Sequence, residues 1–514
     1  MGLDTDNLTP IKLSKHQMKL LKTLTLGAVA AASIGTASAQ TTLHICGSTA
    51  FRNGASAAII DYLSNNLAPG SSHVYGGTTV ATTSEGILSA GAALYANGTI
   101  GAGGTATLIV ETYWTGSLAG VVDVTAGNTT GLYIDPNNLT STQLGQFNNP
   151  TANSGTFATT SPYGGGVELT GTVTTQAFKP DMAFSDSYQG TISKELATGQ
   201  FVNSSVSVGS YSSISALATA CAGTSIKQAG TSSGAGGAGF EGIVPFEWVL
   251  GNVQNAAVTS AISNISQQAA RGLISDGYVP QSYLTGTNNG TTDTANYFYL
   301  VGRNEDSGTR IGALSESQFG VTSSPVQFEV TAASTTSPVT ALQEYPVTDL
   351  NTELNIVWNT LGHSGYSSGS NVAGALESPE NATALSAFSG ESNENTGASY
   401  LIGYVGATDA ASALAAGGHA LTYNGVPFTV AAVQNGQYTF WTYEHCYRLS
   451  AATTAVAGLA DGIADEVYNN DADVASNGTH STTSGAVAGG ILDNASSPVL
   501  VFRTLNEGGI LSNY

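Results

Sequence analysis

The residues best suited to chemistry crowd into one short loop, "RNEDSGTR", Arg303 to Arg310. A guanidinium at Arg303 precedes a Ser307-Gly308-Thr309 turn, and Glu305 stands between them. Ser-Gly-Thr ahead of a helical stretch can cap that helix with a hydroxyl and leave backbone N–H groups pointing outward. A helix end of this kind carries partial positive charge and attracts anions. An arginine beside it adds a planar fork of donors that matches an oxyanion. The chemistry implied is capture of an anion. Two further turns have the same character: Ser48-Thr49 after the apolar run "LHIC", and Gly116-Ser117 after "TATLIVETYW". Ser185-Asp186-Ser187, after "KPDMAF", adds a carboxylate. Each turn alone is an ordinary helix cap. The guanidinium in the same loop sets 303–309 apart.

Such turns must be delivered by strands and carried by helices. A strand at "LHIC" leads into a helix running to about Leu63. A strand over Thr105 to Trp114 leads into "TGSLAGVVDV", and "KPDMAFSDSYQG" carries a short strand before Ser185. Further on, "GIVPFEWVLGN" reads as a strand and "ISNISQQAARGLISDG" as helical. "YFYLVGRNEDSGTRIGALSES" reads as strand, loop and helix start, and "SYLIGYVGATDAASAL" as a strand running into a helix. "GVPFTVAAVQNGQYTFWTYEHCYRL" reads as two strands around the Asn435-Gly436 turn. A helix is expected near "VAGLADGIADEVYNN". Alternating units of this kind indicate an α/β chain with a parallel sheet and covering helices. Trp114, Trp248 and Trp441 fall on apolar strands and are expected in the core.

A chain of 514 residues exceeds one ordinary domain. Charged residues are only 9%, with 63 glycines, so solubility must come from hydroxyls and amides. With 41% hydrophobic residues, 22 Tyr and 15 Phe it can bury a core. Residues 1–39 read as a secretory signal, with Met18 as an alternative start. Lys19 and Lys22 form the basic end, Leu24 to Ile34 the apolar run, and Ala37-Ser38-Ala39 the cleavage site. The apolar run is too short to span a bilayer. His44 and Ile45 before Cys46 are too large for a lipoprotein signal, so export without a lipid anchor or membrane insertion is expected. Removing this segment takes four lysines and two aspartates, leaving nine cations, 33 acids and a formal charge of −24. Nucleic acid and anionic membranes are therefore poor partners. Cys46, Cys221 and Cys446 allow one disulfide or none. The seven His show no metal-binding spacing, and no G-x-S-x-G elbow marks a hydrolase. Neither a metal, another cofactor nor an enzyme activity is expected.

The arrangement resembles the periplasmic phosphate-binding proteins of ABC transporters (PstS-like), within the type 2 class of two-lobed solute-binding proteins. "RNEDSGTR" resembles that family's Arg-x-acid-x-Ser-Gly-Thr loop. "CGSTAF", "TYWTGSLAGV", "MAFSDS", "IGYVGATDA" and "VQNGQYTFWTYEHCY" resemble its other segments, in the same order. The resemblance covers most of residues 41–450, interrupted by polar insertions. It implies two α/β lobes with a ligand cleft and two crossings: 41–245 with 431–514, and 246–430. It implies inorganic phosphate as ligand and an ABC transporter permease as partner, in the periplasm or outside the cell. Thr49, with Ser48 and the Ala50 amide, would bind one oxygen, and Ser117 another. Asp186 would accept a proton from the ligand. Arg303 would donate its fork, oriented by Glu305, and Ser307, Gly308 and Thr309 would wrap the remaining oxygens. Arg310 lies outside the matched pattern and is expected on the surface or helix face. The alternative is a surface-exposed or matrix protein on the same scaffold, with a vestigial or different site.

Overall fold

The computed structural model describes residues 40–513 apart from 70–73, 78–91, 130, 150–165, 198–208, 231–232, 235–236, 239, 288–294, 331–337, 346–364, 381–385, 388–396, 468–500 and 504–506. The expected signal segment, 1–39, lies outside the described residues.

The first part of the chain runs β1 (Thr41–Gly47), α1 (Arg52–Asn65), β2 (Val74–Gly77), β3 (Ala92–Ala96), β4 (Leu108–Tyr113), α2 (Ser117–Ala126), β5 (Gly166–Glu168), β6 (Met182–Ser185), α3 (Gln189–Ala197), α4 (Ile214–Cys221) and β7 (Ile226–Gln228). It continues through β8 (Phe240–Leu250), α5 (Gln267–Asp276), β9 (Tyr278–Pro280), β10 (Asn296–Val301), α6 (Gly308–Glu316), α7 (Gly369–Glu377), β11 (Ala398–Gly406), α8 (Ala407–Ala415), β12 (His419–Ala420), β13 (Trp441–Leu449) and α9 (Thr454–Glu466). These strands form one mixed sheet of 13, in the order β9-β10-β11-β8-β13-β6-β1-β4-β3-β2-β5. β12 pairs with β8, and β7 with β13. The protein is thus α/β, as its alternating pattern requires.

β1 runs parallel to β4 and β6, and β10 parallel to β11. Parallel neighbours align their carboxyl ends, so the turns after them share an edge of the sheet, where α/β proteins build ligand sites. The two parallel groups are joined by the long strands β8 and β13. Residues Ile243 to Pro245 of β8 pair antiparallel with β13, and Phe246 to Leu250 pair with β11. Pro245 has no N–H to give a ladder. It falls where β8 leaves one partner for the next. β13 changes partner too, from β8 to β6 around His445.

The apolar faces close around these strands. Trp248 and Trp441 are fully buried on β8 and β13, and Trp114, one residue past the end of β4, is nearly so. A second cluster packs α2, α3 and α4 through Leu118, Val122, Ile192 and Leu217. A third packs α7 and α8 on β10 and β11 through Val301, Leu376, Leu401 and Ala413. Cys46, Cys221 and Cys446 are all buried free thiols. Among the described residues no helix is long and apolar enough to cross a membrane.

One expected strand is a helix. Val430–Gln434 is helical, capped by Thr429, whose hydroxyl accepts from the Ala432 N–H at 3.0 Å. Asn435 then ends the helix and Gly436 takes a left-handed φ of 77°. The Asn-Gly pair therefore leads out of a helix instead of turning a hairpin. An apolar run of four residues carries no period of its own to separate the two outcomes.

Candidate anion-binding site

The site is built from turns at the carboxyl ends of β1, β4, β6 and β10. β1 ends at Gly47, and the Ser48 N–H donates to the Phe184 carbonyl at 2.8 Å, tying its turn to β6. The Gly116 N–H donates to the Gly47 carbonyl at 2.8 Å, which ties the β4 turn to the β1 turn. The 303–309 loop reaches the same point from β10: the Leu118 N–H donates to the Asp306 carbonyl at 3.0 Å. Gly116 holds a φ of 105°, and a Cβ there would collide with the Asp306 backbone. Only glycine permits that approach.

Asp186 lies at the centre. It is buried, and the Ser117 hydroxyl donates to its Oδ1. Its own N–H donates back to Ser117 Oγ at 3.2 Å. The hydroxyls of Ser48 and Thr309 also act on this carboxylate and favour its charged form. Its Oδ2 is buried without a close hydrogen-bond partner. Burial pushes its pKa up to about 6, against the pull of Arg303. Gly308 heads α6 directly over it, and a Cβ at 308 would collide with the Asp186 carboxylate and Ser117 Oγ.

Arg303 is equally buried, at 1% exposure. Its Nη1 donates to Thr49 Oγ1 at 3.1 Å, Nε to the Tyr366 carbonyl at 3.2 Å, and Nη2 to the Ser367 carbonyl at 3.0 Å. Its own carbonyl accepts from Gln327 Nε2 at 3.0 Å, and the Tyr404 hydroxyl in turn donates to Gln327 at 2.7 Å. Burial lowers its pKa, while the Asp409 and Asp186 carboxylates raise it.

Helix N-termini converge on the same place. α1 and α2 begin without a side-chain cap, though the Leu118 N–H of α2 is taken by the Asp306 carbonyl. α6 is capped by Ser307, whose hydroxyl accepts from the Arg310 N–H at 3.4 Å, a long contact. α8 joins them at Gly406, where a Cβ would come 3.4 Å from that of Ala50.

Ser48, Thr49, Ala50, Ser117, Asp186, Arg303, Ser307, Gly308 and Thr309 are thus brought into one neighbourhood. Arg310 is placed differently from expectation. The Arg303 fork donates to Thr49, Tyr366 and Ser367. Glu305 is buried and acts on Glu195, as do Arg310 and Glu507. Arg310 is fully buried, not on the surface. A guanidinium there offsets the acids beneath α6, which is why the helix turns it inward. Asp409 and Arg52 belong to the neighbourhood and escaped the sequence reading. Asp409 looks like a routine acid in the first turn of a helix. Arg52 directly follows "CGSTAF", and as one of six arginines it could have been singled out. Tyr366 and Ser367 act through backbone carbonyls, which leave no mark in a sequence.

No protein-family model and no curated protein matches the chain. Solved structures do, at a distance. A protein from Clostridium perfringens crystallised with bound phosphate is 10% identical with a TM-score of 0.37, over 85% of this chain and 96% of its own. An ABC-type phosphate transport receptor from Vibrio cholerae is 10% identical with a TM-score of 0.32, over 82% and 93%. PstS from Borrelia burgdorferi is 10% identical with a TM-score of 0.30, over 82% and 92%.

Proposed function

We propose that the protein is an exported solute-binding protein that takes inorganic phosphate at this site, serving ABC-type uptake. The observation that carries the reading is the buried Asp186 Oδ2 beside a buried arginine and several helix N-termini. The arginine and the helix ends call for an anion. A carboxylate oxygen calls for a proton donor. A protonated oxyanion answers both, and near neutral pH inorganic phosphate keeps at least one proton where sulfate has none. The export signal read in residues 1–39 supports delivery outside the cytoplasm.

In this reading the chain works as two lobes, 41–245 with 431–514 and 246–430. The change of partner along β8 at Pro245 and Phe246 supports that division, with β8 and β13 as the crossings. Thr49, Ser117 and Asp186 then stand on one wall and Arg303 to Thr309 on the other. Ligand binding would favour closure of the hinge.

Isothermal titration tests this directly. Phosphate should bind with measurable heat, and excess sulfate should not compete. An unpaired clash of acceptors costs about 1–3 kcal/mol, more between charges, which puts sulfate roughly five- to 150-fold behind, or further. Asp186→Asn should lose that discrimination. No heat and no thermal shift at millimolar phosphate would overturn the proposal in favour of a structural role.

A further inference from the structure

We propose that Arg52 is a second guanidinium of the anion site and that Asp409 is the positioning residue for Arg52 and Arg303 together. The inference rests on the anion-binding reading above and adds two residues to it. Arg52 opens α1, three residues after Thr49. Asp409 lies in the first turn of α8, which follows the other parallel group of strands. Arg52 Nη2 stands 3.9 Å from Asp409 Oδ1. At the other oxygen, a Cβ on Gly369 would collide with Asp409 Oδ2 and lie 3.6 Å from Arg303 Nη1. Glycine at the head of α7 therefore leaves room for the carboxylate to face the Arg303 fork.

Two guanidinia this close oppose one another. Arg52 lowers the Arg303 pKa, and Asp409 is the leading carboxylate that raises it. Burial raises Asp409's own pKa, and both arginines counter that, Arg52 more than Arg303. A carboxylate between two arginines lets both keep their charge side by side. At 3.9 Å the Arg52 pair is a charge contact, longer than a hydrogen bond, so Asp409 does not consume the Arg52 donors. The two guanidinia together carry about ten N–H groups, well beyond the roughly four lone-pair sites of one carboxylate. Arg303 already points Nη1 at Thr49, and a neighbouring Arg52 extends the donor set along the same turn.

The test is a double-mutant cycle on phosphate affinity with Arg52→Gln, Asp409→Asn and the double variant. Each single variant should weaken binding tenfold or more. The double should lose much less than the product of the two, because Asp409 acts through the arginines. Binding within twofold of wild type in either single variant, or losses that multiply, overturns the proposal. A second readout needs no ligand. With six arginines in the chain, the Arg52 and Arg303 Nε–H signals can be assigned by NMR. Asp409→Asn should shift both signals and speed their hydrogen exchange, and Asp409→Glu should restore them. If wild type gives no heat with phosphate but both signals respond, the phosphate reading fails and the positioning role stands. Signals indifferent to Asp409→Asn overturn it whatever phosphate does.

Discussion

Arg303 gives up its hydration to sit at 1% exposure, and two carboxylates with three hydrogen bonds offset that loss. Removing it should weaken phosphate binding by about 2–5 kcal/mol, since the ligand charge would be left without its desolvated partner. Titration of Arg303→Ala checks this, and an affinity near wild type would sink the assigned role. Arg310 behaves differently although it lies in the same loop. It is fully buried beside Glu195, whose carboxyl burial pushes up to about 8 against the pull of Arg310. Arg310→Ala should therefore destabilise the fold, by about 3–5 kcal/mol above pH 8, where Glu195 is ionised in the wild type. Thermal unfolding separates the two arginines: Arg310→Ala should lower Tm strongly, Arg303→Ala mainly the affinity. An unchanged Tm in Arg310→Ala would mean its burial carries no stability.

At the scale of elements, the site depends on helices that start close together. The closeness is set by small residues at their heads. Gly308→Ala would drive a Cβ into the Asp186 carboxylate and lift α6 away from it. The expected outcome is loss of phosphate binding by more than tenfold, with the far side of the sheet unaffected. Gly116→Ala adds a left-handed φ of 105° to its collision with Asp306. It should cost about 1–3 kcal/mol of stability, read as a fall in Tm. Wild-type affinity in Gly308→Ala would show that α6 is not held against Asp186. Much of this level is visible in the chain: strand-turn-helix units at 41–65, 108–126 and 296–316 follow from apolar runs broken by Gly, Ser and Thr. The 430–434 segment was not visible, because packing decides what a short apolar run becomes.

For the molecule as a whole, buried acids make stability depend on pH in one direction. Burial raises Asp186 to about 6, Glu247 and Glu507 to about 7, and Glu195 to about 8, from ordinary values near 4. A raised acid binds more protons in the folded state, so its contribution falls as pH climbs between those values. His44 adds to the trend at higher pH. Burial alone would lower its pKa, but hydrogen bonds donated to the Asp181 and Glu111 carboxylates raise it from 6.5 to about 9. Its ion pairs, at 3.2 and 3.3 Å, stabilise fully below pH 6.5 and are lost as pH rises through 9. The formal charge of −22 adds repulsion of the same sign. Tm should be highest in mild acid and fall steadily toward pH 9. His44→Gln should flatten only the part above pH 6.5. A Tm that rises from pH 5 to pH 9 would contradict the assigned shifts.

The sequence by itself determined the strand-turn-helix units, the α/β class and most residues of the candidate site, because turns and helix caps are local. Ser48, Ser117, Asp186, Arg303 and Thr309 each carry their chemistry within a few residues of the chain. Only the tertiary structure decided who partners whom. Arg310 turned inward toward Glu195 of α3, an acid that Glu507 also acts on although both lie more than a hundred residues from Arg310 in the chain. Arg303 took supports from Thr49, Tyr366, Ser367 and Asp409, all far from it in the chain. Two of those supports are backbone carbonyls, identical in every residue type. The other contacts depend on how the sheet brings distant turns to one edge, which no local pattern records.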